Sequence, residues 1–155
     1  MNESNESAEI RFYAVGDDYG EFSNFADYPI QLGGERWPSS EHYFQAQKFD
    51  DAGYRRQIRT TCSPMQAARL GRDRRQKLRR DWESVKVGVM REALLAKFQQ
   101  HPALAALLLS TGEAKLVEHT ENDSYWGDGG DGSGRNMLGQ LLMEVRARLR
   151  TVDKR

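Results

Sequence analysis

The sequence predicts an α+β fold, a predominantly helical single domain with a small β portion at its N-terminal end. Three observations predict it. Beyond residue 40, apolar residues recur at helical spacing and cap signals punctuate the chain. The first forty residues instead carry short β-like runs and a two-glycine hairpin signal. The length of 155 residues, 38% of them hydrophobic, suits one core, and there is no internal repeat or sign of a second domain. Residues 1–9 read as a flexible start, 10–150 as the domain and 151–155 as a tail.

Taken in order, residues 10–15 (Ile-Arg-Phe-Tyr-Ala-Val) read as a strand, and Asp17 to Gly20 as a turn. Phe22-Ser23-Asn24-Phe25 then brings two aromatics and an amide ahead of Pro29. Residues 29–32 and 35–37 flank Gly33-Gly34, a two-residue hairpin signal. Ser39 is a strong N-cap, predicting a helix over 40–49. A second helical segment covers 51–59. Ser63-Pro64 opens a third, which Gly71 ends, with proline and glycine at the positions each favours. Asp81 caps a long fourth helix to residue 98, along which Trp82, Val85, Val89, Met90, Ala93, Leu94 and Phe98 keep the helical period. Residues 102–109 form a fifth helix and 115–120 a strand. Residues 136–149 form a last helix with Leu138, Leu141, Leu142, Val145 and Leu149 on one face.

Composition excludes several classes. Lys plus Arg equals Asp plus Glu, at 23 each, so the formal net charge is zero. That balance argues against a bulk binder of nucleic acid, which carries a basic excess. No apolar run is long enough to span a membrane, and the polar, acidic start is no secretory signal. The single cysteine, Cys62, cannot form a disulfide within the chain, so the reducing cytoplasm is the expected location. Cys62 itself reads as a small packed residue in a turn between helices. His42, His101 and His119 share no ligand spacing, and no metal is expected. Gly127, Gly129 and Gly132 match G-x-G-x-x-G literally, but no strand leads directly into them and one terminal helix follows. The stretch from Gly127 to Gly134 therefore reads as a mobile loop with unusual dihedrals beside a helix start. The pattern carries no signal for oligomeric state.

Seven cations crowd into residues 69–80: Arg69, Arg72, Arg74, Arg75, Lys77, Arg79 and Arg80. They form either a solvated surface between helices or an attractor for phosphate. Three groups bear residues suited to chemistry. With Ser39 as cap, Glu41, Gln45 and Lys48 fall at i, i+4 and i+7, a polar stripe on an otherwise aromatic helix. Glu41 sits in the first turn, where the helix dipole alone gives it a use and keeps it ionised. Trp82 and Lys86 stand one turn apart; Trp82 is either core or an aromatic wall for a flat heterocycle, with Lys86 as a phosphate or carbonyl contact. In Glu118-His119-Thr120-Glu121-Asn122-Asp123-Ser124-Tyr125-Trp126-Gly127, Asn122 and Asp123 suit Asx-turns, and Trp126 suits a stacking surface or a lid.

The strings Gly20 to Phe25, Trp37 to Lys48, Trp82 to Phe98 and Lys115 to Gly139 closely resemble the YbiA-like family, also called the NADAR domain. The resemblance covers residues 10–150. It rests on long, unusual strings in the right order, Ser-Glu-His-Tyr-Phe-Gln-Ala-Gln-Lys-Phe and Glu-His-Thr-Glu-Asn-Asp-x-Tyr-Trp-Gly-Asp-Gly-Gly. It implies an N-glycosidase that cleaves ribose 5-phosphate from the amino-pyrimidine of early riboflavin-pathway intermediates. Another branch of the family removes ADP-ribose from guanine in nucleic acid. By motif position the family's functional residues fall on Glu41, Trp82, Asp123 and Trp126.

Cleaving a ribosyl C–N bond builds positive charge on the sugar, which a fixed carboxylate stabilises while another activates water or protonates the leaving amine. On this scheme Glu41 supplies the anion, and Asp123 acts as base or acid toward the same sugar carbon. Trp82 and Trp126 sandwich the pyrimidine, and Lys48, Lys86 and Arg72 hold the 5-phosphate. Asn24 joins the substrate contacts, and the glycine loop closes over them. The partner is a small-molecule phosphoribosylaminopyrimidine, and the scheme needs no cofactor. Two rivals remain: ADP-ribosyl hydrolysis at guanine, with the basic cluster as a backbone track, and a non-catalytic nucleotide-binding module with no use for Glu41 or Asp123.

Overall fold

The structure, a computed structural model, describes residues 8–153. It is helix-dominated α+β and divides into two compact units. One is Asn24–Gln100; the other comprises the residues up to Ser23 and those from His101 onward.

In the second of these units, β1 (Glu9–Phe12) pairs in parallel with β4 (Lys115–Glu118), Phe12 standing opposite Glu118. Gly20–Phe22 forms a 3-10 turn, entered through Tyr19 at φ 63°. α5 (Pro102–Ser110) starts on a proline, whose missing N–H costs nothing in the first turn. α6 (Met137–Asp153) buries Leu138, Leu141, Leu142, Val145 and Leu149, the face that its spacing predicts. Gly139 lets α6 lie against β4, because any Cβ there would overlap the Leu116 carbonyl. Asn136, just before the helix at φ 53°, accepts from Glu118 N and donates to Leu116 O, each at 2.9 Å.

In Asn24–Gln100, β2 (Ile30–Leu32) and β3 (Glu35–Trp37) form an antiparallel hairpin. Its turn residues Gly33 and Gly34 stand at φ 65° and 83°, the left-handed pair that such a turn needs. Four helices follow: α1 (Ser40–Ala46), α2 (Ala52–Thr60), α3 (Pro64–Gly71) and α4 (Trp82–Gln100). Each of the first three begins at a side-chain cap: Ser39 accepts from His42 N, Asp51 from Tyr54 N and Ser63 from Gln66 N. α1 lies among the other three helices, and all seven of its residues are buried.

Several expectations change. The first strand stops at Phe12, because the chain turns at once, Asp17 N bonding to Ala14 O. α1 ends at Ala46, its last turn tightened by Lys48 N to Gln45 O and Phe49 N to Ala46 O. Asp81 precedes α4, but its carboxylate is bound to Arg79 at 2.6 and 3.1 Å. α6 runs three residues into the expected tail. Cys62 is exposed, not packed: the turn between α2 and α3 faces solvent, and the thiol meets Gln66 Oε1 at 3.3 Å. Of the expected flexible start, residues 1–7 lie outside the described residues, and Glu9 already belongs to β1. No described helix is long and apolar enough to cross a membrane.

Candidate active site

α1 carries the expected polar stripe, and its Glu41 and Gln45 are buried. Glu41 is 5% and Gln45 4% exposed. Gln45 Nε2 donates to Glu41 Oε2 at 2.6 Å, the i, i+4 contact that the spacing predicts. Lys48 completes the stripe one turn on and donates to Gly71 O at 3.4 Å. Burial lowers the Lys48 pKa, Glu41 opposes that, and Arg72 and Lys86 add to it. Glu41, Arg72 and Lys86 thus all act electrostatically on one ammonium group. Arg72 is exposed at the end of α3, and Lys86 pairs with Glu83 at 2.7 Å on α4. Trp82 is 6% exposed and leans on Phe44 of α1, ring centroids 5.2 Å apart; Lys48 Nζ lies 5.9 Å from the same phenyl ring. Asn24 is buried, its amide donating to Met90 Sδ at 3.0 Å and accepting from Ser40 Oγ at 2.7 Å. Its side chain therefore ties its own segment to α1 and α4.

The neighbouring polar groups of α1 have structural duties. His42 bonds Ser39 Oγ and Thr61 O, and burial lowers its pKa despite the Thr61 carbonyl and Asp27. Burial, reinforced by Glu92, pushes the Tyr43 hydroxyl up to about 12.

The other expected residues lie in the unit that holds β4 and α6. Asp123 makes the Asx-turn that its type suggests: Oδ1 accepts from Tyr125 N at 2.9 Å and Trp126 N at 2.8 Å. Trp126 is half-buried and meets Tyr125 edge to face at 4.9 Å. The first amides of α6 are used by this loop, Met137 N bonding to Tyr125 O and Leu138 N to Trp126 O. The glycine run supplies the unusual dihedrals expected of it, with Gly129, Gly130 and Gly132 at φ 76°, 88° and 88°. Asn122 makes no Asx-turn; its amide donates to the Tyr13 hydroxyl at 3.3 Å.

Sequence reasoning missed Asp128. It is 5% exposed and accepts from His119 Nδ1 at 2.7 Å, Thr120 N at 3.0 Å and Gly130 N at 2.8 Å. Burial alone would raise its pKa; these three bonds outweigh that and hold it at about 2. The carboxylate fastens the end of β4 to the glycine run and so closes the loop bearing Asp123 and Trp126. His119 looked like a stray histidine, because a nine-residue separation has no periodic meaning. A folded pKa below the usual 3.8 stabilises the protein above pH 4, and that contribution is lost as pH falls toward 2. Asp128→Asn, which keeps the amide bonds but loses the charge, should melt lower than the parent at pH 7, with the gap closing near pH 2 in thermal melts.

A cleft of about 340 Å³ in the same unit is lined by Arg11, Lys115, Arg135, Asp128, Gln140 and Met143 among others, and by none of the expected site residues. Among the described residues no group of three or more His, Cys, Asp or Glu could hold a metal ion. Of the expected residues, then, Asn24, Glu41, Lys48, Arg72, Trp82 and Lys86 lie in one unit, and Asp123 and Trp126 in the other.

Comparison with known proteins matches the chain to a family. The chain is 66% identical over 140 residues to the N-glycosidase YbiA of Escherichia coli, covering 90% of this chain and 88% of that protein. An NMR structure of the E. coli protein YbiA superposes with a TM-score of 0.89 at 62% identity, covering 95% of this chain and 88% of that one. A riboflavin biosynthesis protein of Vibrio vulnificus is 46% identical over 140 residues, 90% of this chain but 38% of that longer protein. The model of the NADAR domain matches residues 11–150, and the chain belongs to the NADAR domain family.

Proposed function

We propose that the chain is an N-glycosidase that hydrolyses the bond between ribose 5-phosphate and the amino-pyrimidine of an early riboflavin-pathway intermediate. The observation that carries this reading is 66% identity, over nine-tenths of the chain, to a protein named N-glycosidase. The pathway is supported by the Vibrio relative, a riboflavin biosynthesis protein that contains a region like this chain.

The chemistry of the residues supports the roles assigned to them. As the C–N bond breaks, its electron pair leaves with the amine and positive charge spreads over the anomeric carbon and ring oxygen. A buried carboxylate opposes that charge more strongly than an exposed one, because little water screens it. Glu41 has that burial, and its Gln45 partner holds it in one direction. Water then adds its oxygen to the anomeric carbon, and the departing amine gains a proton. Asp123 is assigned to that proton traffic, as base toward the water or acid toward the amine. Lys48, Arg72 and Lys86 suit the doubly charged 5-phosphate, which offsets the burial, and after it the repulsion from Arg72 and Lys86, that lowers the Lys48 pKa. Trp82 and Trp126 are assigned to the faces of the pyrimidine, and Asn24 to holding α1 in place beside it.

The test is a release assay. The protein is incubated separately with the phosphoribosylaminopyrimidine and with DNA bearing ADP-ribosyl guanine, and free ribose 5-phosphate and ADP-ribose are measured. Release of ribose 5-phosphate is expected. Release of ADP-ribose alone would move the substrate to nucleic acid and give the exposed Arg69, Arg72, Arg74, Lys77 and Arg80 a backbone to bind. Binding without release of either product would leave a nucleotide-binding module.

A further inference from the structure

Gln45 is buried, and its two amide ends have unlike surroundings. Nε2 donates to Glu41 Oε2 at 2.6 Å. Oε1 is enclosed and accepts no hydrogen bond from any described residue. It rests against Gly71, the last residue of α3, where any Cβ would overlap it. Leaving a buried acceptor unpaired is unfavourable, and native proteins rarely do so without a compensating use. Turning the amide over would aim its carbonyl at the carboxylate, acceptor against acceptor, unless Glu41 carried a proton. The observed orientation suits an ionised Glu41, whose oxygens only accept, and it leaves the amide carbonyl unpaired. Lys48 meets the same glycine through Gly71 O, so the i+4 and i+7 members of the α1 stripe both rest on Gly71.

We infer that Gln45 is a positioning residue, which holds the Glu41 carboxylate ionised and in one direction, and that Gly71 lacks a side chain because any Cβ would push the amide off the acid. The inference rests on the role proposed for Glu41. Lys48 acts on the carboxylate from the end of α1, with Arg72 of the α3 terminus and Lys86 of α4 acting on Lys48. The other titratable groups of α1 are turned to other partners: His42 to Ser39 and Thr61, Tyr43 to Glu92 of α4. Arg55 of α2 is engaged by Gln47.

The test is the pH profile of kcat for Gln45→Met, which keeps length and volume but removes the donor. A carboxylate that loses a hydrogen bond to its charged form titrates higher. The acidic limb should move up by about one pH unit, kcat at neutral pH should fall about tenfold, and KM should stay within about twofold. Gln45→Glu, nearly isosteric, places a second carboxylate at hydrogen-bond distance and should move the limb further, since the pair must share a proton. It also answers the question if the Met variant fails to fold. Gly71→Ala should move the limb the same way, and combining it with Gln45→Met should add little, because both act through one contact. An acidic limb that stays at the parent position in all three variants would overturn the inference, even if their melting temperatures fall. Glu41→Gln keeps the two ideas apart. If that variant turns over normally, the role of Glu41 fails; if it is inactive while the Gln45 profiles match the parent, only the inference fails.

Discussion

Glu41→Gln should lower turnover by at least about a hundredfold and leave the melting temperature within a few degrees of the parent. Glutamine has the shape of glutamate, and its carbonyl still accepts from Gln45 Nε2, so the contact inside α1 survives. Only the charge is lost. A neutral amide cannot offset the positive charge that grows on the sugar, whereas it disturbs substrate binding little. The loss should therefore appear in kcat with KM nearly unchanged, the signature of an interaction made mainly in the transition state. Steady-state kinetics beside a thermal melt check both halves. A large fall in melting temperature with proportionate loss of activity would instead make Glu41 a structural acid at the start of a buried helix.

Asp123→Asn should produce a loss of similar size, at least about a hundredfold in turnover, again with little change in melting temperature. The reasoning differs because Asp123 already has a structural duty. One oxygen accepts from the Tyr125 and Trp126 amides and shapes the loop. Asparagine keeps an oxygen there, so the Asx-turn persists while proton transfer is abolished. Asp123→Ala removes both and should also loosen the loop, lowering the melting temperature. If the Asn variant is fully active and the Ala variant inactive, Asp123 builds the loop and takes no proton.

Local rules carried much of the fold. The signals at Ser39 and Ser63 each mark a helix start, since capping depends only on residues within one turn. The Gly33-Gly34 hairpin and the apolar face of α6 were legible for the same reason. Features set by distant neighbours were not. The polar stripe on α1 gives no sign of what surrounds it, and helices on several sides bury all seven residues of α1. The parallel pairing of β1 with β4 leaves no trace at either strand. Gly71 read only as a helix end, and Gly139 carried no reading of its own, because nothing local shows what will press against a missing side chain.

The candidate site divides the same way. Glu41, Gln45 and Lys48 were legible because helical spacing aligns them, and the Glu41–Gln45 contact is the one their spacing predicts. That Gln45 would be sealed in with one unpaired oxygen depends on α3 and lies outside the reach of periodicity. Asp123 showed its turn-forming habit directly, whereas Asp128, which binds that loop shut, looked like one more polar residue in a glycine run.

The most direct test of the role of Glu41 is a crystal structure of the Glu41→Gln protein with the phosphoribosylaminopyrimidine trapped intact. The anomeric carbon should lie within about 3.5 Å of the residue 41 side chain, the range of a near-attack geometry, with the 5-phosphate on Lys48, Arg72 or Lys86. A sugar bound instead in the cleft beside Arg11, Lys115 and Arg135, with residue 41 out of reach, would contradict it.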